Sequence, residues 1–173
     1  MHRQSSIPTW YDESEIQSVV REYSITSMGA VKHLTAHLEH HTPTTDGSFG
    51  ICIAGGKGFF VKQAVYESIP RARRPPLDIT ESLSSSNNIF PDDPIESIGS
   101  TIMPFILTDR NTGTSFRLKV RALVVPKLLL GMFIGTSGGI VKSQKYDRKD
   151  GGGMSCVFTV DLGNGRLVAL QDL

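Results

Sequence analysis

Two apolar runs joined by a short polar turn constrain the fold of this chain more than any other feature. The runs are TIMPFILT (101–108) and SFRLKVRALVV (115–125), and the turn between them contains DRNTG. This order of segments predicts an antiparallel hairpin. Apolar and basic residues alternate in the second run, Phe116, Leu118 and Val120 against Arg117, Lys119 and Arg121. Because successive side chains of a strand point to opposite faces, we expect one face in the core and one basic face.

Other segments also predict strands. Apolar and polar residues alternate in AVKHLTAHLEHH (30–41), which predicts a strand with one solvated face. The runs MSCVFTVDL (154–162) and RLVAL (166–170) flank Asn164-Gly165, the strongest hairpin signal in the sequence. The last third of the chain is therefore expected to be rich in β-structure.

Two segments have patterns that favour helices. Ile16, Val19, Val20 and Tyr23 recur at the spacing of one helix face, so we expect a short amphipathic helix over about 12–23. The segment VKQAVYESIP (61–70) favours a second helix that ends at Pro70. The run KLLLGMFI (127–134) is compatible with a strand or with a short helix.

The length of 173 residues suits one domain with a core of its own. We predict a single α+β domain over 12–173, with an antiparallel β-sheet packed against a few helices, after a flexible N-terminal tail over 1–11. Residues 77–99 are rich in Ser, Asn, Asp and Pro, so we expect one long mobile loop there. The segment YDRKDGGG (146–153) is predicted to be a charged loop.

Composition excludes several classes of protein. The net charge is only +1, so any attraction to nucleic acid or acidic lipid must come from local basic patches. Cys52 and Cys156 are far apart and lack CxxC spacing, which argues against a zinc site or a disulfide. No apolar segment of secretory type is found in residues 1–20. Four histidines are predicted to be solvated rather than metal ligands: His33, His37, His40 and His41.

A glycine-lysine turn lies between two apolar runs in GICIAGGKGFFV (50–61). A P-loop would need a glycine at Ile51 and a hydroxyl residue at Gly58, and the dinucleotide fingerprint fails at Val61. We therefore interpret the segment as a structural turn formed by Gly55, Gly56, Lys57 and Gly58. The GxSxG motif of serine hydrolases is also absent from the sequence. We predict that the chain is not an enzyme and has no catalytic residue, cofactor or metal.

The pattern of apolar residues and glycines in ICIAGGKGFFV (51–61) and LLLGMFIG (128–135) resembles that of retropepsin-like proteases. Those folds place an Asp-Thr/Ser-Gly triplet after an apolar strand and an apolar-apolar-Gly element near the end. In this chain Ala54 stands at the position of the catalytic carboxylate, and Gly55 replaces the hydroxyl residue. Without the carboxylate no group can activate water, so the resemblance implies an inactive relative used for binding.

A second resemblance is to the matrix proteins of rhabdoviruses, in particular those of plant-infecting members. An apolar strand followed by Ala-Gly-(Gly)-Lys and an aromatic-rich segment is similar to the central region of that family. The later segments STIMPFILTD (100–109) and KLLLGMFIG (127–135) follow the family's order of elements, so the resemblance covers about residues 30–135. The matching residues of the first segment are Ile51, Ala54, Gly55, Lys57, Phe60 and Lys62.

The resemblance to matrix proteins implies a small α+β core and a structural function. Proteins of this class self-associate, bind and condense the viral nucleoprotein–RNA complex, and attach peripherally to an anionic membrane surface during budding. The implied locations are the virion, the host cytoplasm and the membrane periphery. Two family features are missing, because Pro75-Pro76 is followed by Leu77 rather than completing Pro-Pro-x-Tyr, and the N-terminal tail is not strongly basic.

Such a function would need an anchor for self-association and a basic surface. Trp10 and Tyr11 follow the polar tail and are candidates for the anchor, because large aromatic side chains dominate interface energies. Packing of both rings on their own domain is the alternative. The candidates for contact with lipid or RNA phosphate are Arg71, Arg73, Arg74, Arg117, Lys119, Arg121, Lys142, Lys145, Arg148 and Lys149.

Three functions therefore remain open from the sequence. The first is a viral matrix-type structural protein, which would form large oligomers and bind anionic membranes. The second is an inactive retropepsin-like binding domain, which would form a compact two-fold dimer with a β-barrel core. The third is an RNA-binding viral suppressor or movement-type protein, which would bind RNA without affinity for membranes.

Overall fold

The computed structural model describes residues 9–10, 23–25, 33–43, 46–79, 84–87, 95–136, 141–148, 151–162 and 167–171. These residues form one helix, α1 (Gln63–Glu67), and strands whose bounds are as follows: β1 Thr9–Trp10, β2 Ser24–Ile25, β3 His33–His37, β4 Ser48–Ala54, β5 Gly56–Lys57, β6 Phe59–Lys62, β7 Ser84–Asn87, β8 Ile95–Glu96, β9 Gly99–Thr108, β10 Ser115–Val125, β11 Met132–Gly135, β12 Val141–Arg148, β13 Met154–Asp161 and β14 Leu167–Gln171.

The hairpin predicted over 101–125 is confirmed as β9 and β10, which pair antiparallel from Ser115↔Thr108 to Val124↔Gly99. Leu118 and Val120 are fully buried and lie opposite Phe105 and Met103, as the alternation predicted. The turn between the strands is closed by a hydrogen bond from the Asp109 amide to the Thr114 carbonyl, 2.9 Å long. The hairpin is therefore the long central element of the fold.

Six strands close into a barrel in the order β10-β6-β11-β4-β3-β9, and the β9–β10 pairing completes the ring. The sheet is mixed, because β10 pairs parallel with β6 and β11 pairs parallel with β4, while the other neighbours are antiparallel. The short strand β1 adds to β10 in parallel beyond the end of β6. Two smaller sheets accompany the barrel, one of order β12-β13-β14 and one of order β5-β2-β7-β8.

Several barrel strands contain a continuous apolar run because both of their faces are covered there. In β4, Ile51 and Ile53 belong to the main core, while Cys52 and Ala54 belong to a second cluster on the opposite face. Phe60 lies in that second cluster, packed edge-on against a neighbouring phenylalanine of β11 at 5.6 Å between ring centroids. The main core extends to the C-terminal sheet, where its buried members are Cys156, Phe158, Val160, Val168 and Leu170.

The predicted α+β class is wrong, because the protein is mostly β-structure and its described residues contain one short helix, α1. In the segment 61–70, Val61 and Lys62 complete β6 and only five residues form α1. The run 127–134 ends in β11 rather than in a helix, because Met132, Phe133 and Ile134 are buried between two other strands. A short apolar run buried on both sides has no period that distinguishes strand from helix.

Two predicted loops also contain strands. The charged segment 146–153 begins within β12, which ends at Arg148. Within 77–99, residues 84–87 and 95–96 pair antiparallel as β7 and β8, and Gly99 opens β9. The helix expected over 12–23 lies outside the described residues except for Tyr23, which is not helical.

Candidate functional site

The two segments that resemble retropepsin-like proteases, 51–61 and 128–135, are adjacent in space although they are separated by about 80 residues in sequence. Strand β11 lies between β4 and β6, parallel to the first and antiparallel to the second. Its last residue, Gly135, is opposite Ala54, the last residue of β4. The backbone amide of Gly135 donates to the Gly58 carbonyl at 2.9 Å, and that of Thr136 donates to the Ala54 carbonyl at 3.0 Å.

Glycine at position 135 is required by the approach of the turn. A Cβ added to Gly135 would lie 2.5 Å from the carbonyl carbon and oxygen of Gly56 and 2.6 Å from the backbone nitrogen of Lys57. Within the turn, Gly56 and Gly58 have φ values of 144° and 84°, which side chains rarely adopt. The glycines thus allow the end of β11 and the connection between β4 and β6 to approach each other closely. The connection is not a simple hairpin, because β11 separates the strands it joins.

The turn supplies backbone hydrogen bonds but no carboxylate that could activate water. Ala54 is only 7% exposed, and its methyl group belongs to the apolar cluster that includes Phe60 and Phe133. Lys57 is the only ionisable side chain between positions 54 and 58, and it is exposed. A carboxylate pair that shares one proton, the chemistry of aspartic proteases, therefore has no counterpart at this turn.

The basic face predicted for β10 is partly neutralised by partners from elsewhere in the chain. Arg117 forms an ion pair with Glu39, with 3.0 Å between Nη1 and Oε1. Arg121 donates to the Ser100 hydroxyl at 3.3 Å. Both arginines and Lys119 are half-buried, so this face is less open to an anionic partner than the alternation predicted.

The arginines that follow α1 differ in their surroundings. Arg74 donates to the carbonyl oxygens of Ile69 and Glu67 at 3.1 and 2.7 Å, and its guanidinium lies 5.5 Å from the ring centroid of Tyr66. It therefore closes the C-terminal side of the short helix. Arg71 and Arg73 are exposed. The structure thus leaves those two side chains, rather than all three, at the surface.

Three of the four basic residues predicted near the C-terminus lie on one strand. Lys142, Lys145 and Arg148 are all on β12 and all exposed. Lys142 is 3.8 Å from an Asp161 carboxylate oxygen on β13. Lys149 lies outside the described residues.

The predicted aromatic anchor is only partly covered by the described residues. The backbone of Trp10 belongs to β1 and is opposite Arg117 of β10 in the same chain. Tyr11 lies outside the described residues. The role of this pair in self-association remains a prediction.

The histidine and cysteine predictions can be compared with side-chain geometry. No group of three His, Cys, Asp or Glu side chains suited to a metal ion occurs among the residues that the structure describes. Cys52 and Cys156 are buried free thiols, and burial raises the pKa of Cys52 to about 11. None of the helical residues described is part of a helix long and apolar enough to cross a membrane.

Sequence reasoning did not find a groove beside α1. It is formed by the end of β3, the start of β4, the helix and the loop before β11, and it encloses about 290 Å³. These segments are dispersed over 94 positions from Leu38 to Gly131, so no local pattern marks the groove. Comparisons of the chain with protein-family models, curated proteins and solved structures gave no match.

Proposed function

We propose that this protein is a non-enzymatic binding domain built on a retropepsin-like barrel that lacks the catalytic carboxylate. The observation that supports this most directly is the pairing of Ala54 with Gly135 at the ends of β4 and β11. The two sequence segments on which the resemblance rests belong to one closed β-barrel, the core that this hypothesis requires.

The non-enzymatic part rests on the chemistry of the turn. General acid–base catalysis needs a positioned group that accepts or donates a proton. Ala54 offers only a buried methyl group, and the backbone amide of Thr136 is bonded to the Ala54 carbonyl. A domain with this turn is expected to act by contact with another protein surface, and self-association as a two-fold dimer is the simplest such contact.

Sedimentation equilibrium over micromolar to millimolar protein tests this proposal. We expect the mass to reach a plateau at two protomers, because an isologous two-fold contact closes on itself. A mass that rises without limit would favour open-ended assembly, and a monomer at every concentration would contradict self-association. Hydrolysis of unstructured peptides by the wild-type protein between pH 4 and pH 7 would contradict the non-enzymatic part.

A double variant tests whether Ala54 occupies the position of a catalytic carboxylate. Ala54→Asp combined with Gly55→Thr creates Asp-Thr-Gly at positions 54–56. We expect this variant, if it forms the dimer, to cleave peptides at acidic pH, whereas the matched Ala54→Asn, Gly55→Thr variant should not. A folded, dimeric Asp variant without cleavage would argue against the retropepsin-like placement of the turn.

A matrix-type structural function is a second proposal, favoured by the exposed cations of β12. In this proposal the protein self-assembles, binds the viral nucleoprotein–RNA complex and attaches to anionic membrane. Lys145 and Arg148 would contact lipid or RNA phosphate, each contributing about 1 kcal/mol near an acidic membrane surface. An RNA-binding suppressor or movement-type function would use the same cations without membrane affinity.

Flotation with phosphatidylserine vesicles distinguishes these uses of β12. The matrix-type proposal predicts binding that weakens as salt rises and that weakens further in a Lys145→Gln, Arg148→Gln variant. The matched control is Arg110→Gln, Lys127→Gln, which removes the same charge from exposed positions outside the predicted anion-binding set. Binding to neutral vesicles alone, or binding insensitive to salt, would contradict an electrostatic attachment.

A further inference from the structure

The groove beside α1 has the properties of a small-ligand site. Its volume of about 290 Å³ is at the lower end of the range for such sites, ~300–1,000 Å³. Apolar side chains form most of its wall: Leu38, Phe49, Val65, Leu129 and Leu130. Leu129 is 63% exposed, so one side of the groove offers apolar surface to whatever enters it.

The loop before β11 packs closely against the other elements that form the groove. A Cβ added to Gly131 would lie 2.9 Å from atoms of both Phe49 and Val65, so the loop before β11 sits directly against β4 and α1. The Lys62 amide donates to the Gly131 carbonyl at 2.8 Å and joins the same loop to the end of β6. The groove is thus bounded by elements that are hydrogen-bonded to one another.

One charged residue is part of this lining. Among the described residues that line the groove, Lys62 is the only charged one, and it is half-buried. Its ammonium has no hydrogen-bond or ion-pair partner among the residues that the structure describes. The serine hydroxyls on the wall already donate within the chain, that of Ser48 to Asp46 and that of Ser68 to Val65.

We infer that this groove binds a small amphiphile with an apolar body and a single negative charge, such as a medium-chain carboxylate. The apolar body removes the wall from water, which is favourable in proportion to the apolar area buried. The carboxylate accepts a charge-assisted hydrogen bond from the Lys62 ammonium, which is stronger than a bond between neutral groups. A dianion or a phosphate would find no second cation among the lining residues that the structure describes, and a neutral alcohol would leave the ammonium without an anionic partner.

Decanoate and 1-decanol are matched probes, because they share a chain length and differ in charge. Titration monitored through methyl resonances should shift the signals of Leu38, Val65, Leu129 and Leu130 and leave the barrel interior unchanged. Decanoate should bind more tightly than decanol. Lys62→Met should weaken decanoate about tenfold, the ratio for one lost charge-assisted hydrogen bond, and leave decanol unchanged.

Two control variants complete the test. Lys127→Met removes the same charge from an exposed position outside the lining and should leave both affinities unchanged. Ala64→Phe places a ring on the lining of the groove and should weaken both ligands. Equal affinity of the wild-type protein for decanoate and decanol would overturn the role of Lys62 without any variant. Absence of decanoate binding, or methyl shifts spread over the whole protein, would overturn the site. The inference does not depend on the dimer, so a monomer that binds decanoate would contradict only the proposed function.

Discussion

Asp109 links the central hairpin to the C-terminal sheet, and its replacement by alanine should destabilise the protein. Its side chain is only 7% exposed and lies in the turn after β9. One carboxylate oxygen accepts from the amides of Asn111 and Ala169, each at 3.2 Å, and the other accepts from the Thr112 hydroxyl at 2.9 Å. The Ala169 amide belongs to β14, so this bond joins two sheets. A second bond, from the Arg110 amide to the Ala169 carbonyl, would remain in the variant.

The expected loss of unfolding free energy follows from what happens to each group that donates a hydrogen bond to Asp109. Asn111 and Thr112 are exposed, so water replaces the carboxylate and little is lost there. The half-buried Ala169 amide loses its acceptor, which costs roughly 1–3 kcal/mol for an unsatisfied group. With a further contribution of about 1 kcal/mol from the turn, the loss for Asp109→Ala is ~2–4 kcal/mol. At a urea dependence of ~2 kcal/mol/M the midpoint should fall by about 1–2 M.

Urea unfolding followed by circular dichroism measures this change, and two variants act as controls. Asp109→Asn keeps one carbonyl oxygen for the Ala169 amide and should lose less than Asp109→Ala. Asp46→Ala removes a carboxylate that accepts from the amide and hydroxyl of Ser48 on an exposed turn, and its midpoint should stay close to that of the wild type. A loss below ~0.5 kcal/mol for Asp109→Ala, the range of ordinary surface substitutions, would refute the argument that this carboxylate joins the two sheets.

Three further predictions concern the turn and two ionisable groups. Gly135→Ala should lower the free energy of unfolding in urea by about 1–3 kcal/mol, because its Cβ would overlap backbone atoms. Gly50→Ala should lower it less, because the nearest atoms to its Cβ belong to the movable Leu130 side chain, the first at 3.3 Å. Equal losses for the two variants would contradict the close approach at Gly135. Cys52, with its pKa raised to about 11 by burial, should resist iodoacetamide at pH 8 in the folded protein and react in urea, and equal rates would contradict its burial. Hydrogen bonds from Ser48 lower the pKa of the Asp46 carboxyl group. The stabilisation that these bonds give the folded protein is present above the pKa of Asp46 in the unfolded chain and is lost as pH falls through its pKa in the folded protein. NMR titration of the Ser48→Ala variant should give a higher Asp46 pKa than in the wild type.

Local patterns predicted those strands whose two faces differ. The alternation in 115–121 gave both the strand and its buried residues, because Leu118 and Val120 face the core while charged neighbours face outward. The β13–β14 hairpin was also predicted from its flanking runs and is present. The helix expected over 61–70 was mostly wrong, because a strand ends and a helix begins inside one apolar segment.

The residue types of the candidate site could be read from the sequence, but its geometry could not. The absence of a carboxylate from the turn at 54–58 could be read directly, since it depends on residue type alone. The partner of Arg117 could not, because Glu39 is 78 positions away and reaches it only when β3 and β9 become neighbours. The groove around Lys62 has the same origin in segments that are distant in sequence.

The sequence by itself determined the central hairpin, the lack of a carboxylate in the glycine turn and the small net charge, because these depend on adjacent residues or on composition. Only the tertiary structure decided that the strands close into a barrel, that β11 separates β4 from β6, and that most of the basic face of β10 is occupied by its own chain. The physical reason is that an apolar run indicates only that its surface must be buried. Which segment covers that surface depends on pairing between strands that are distant in sequence.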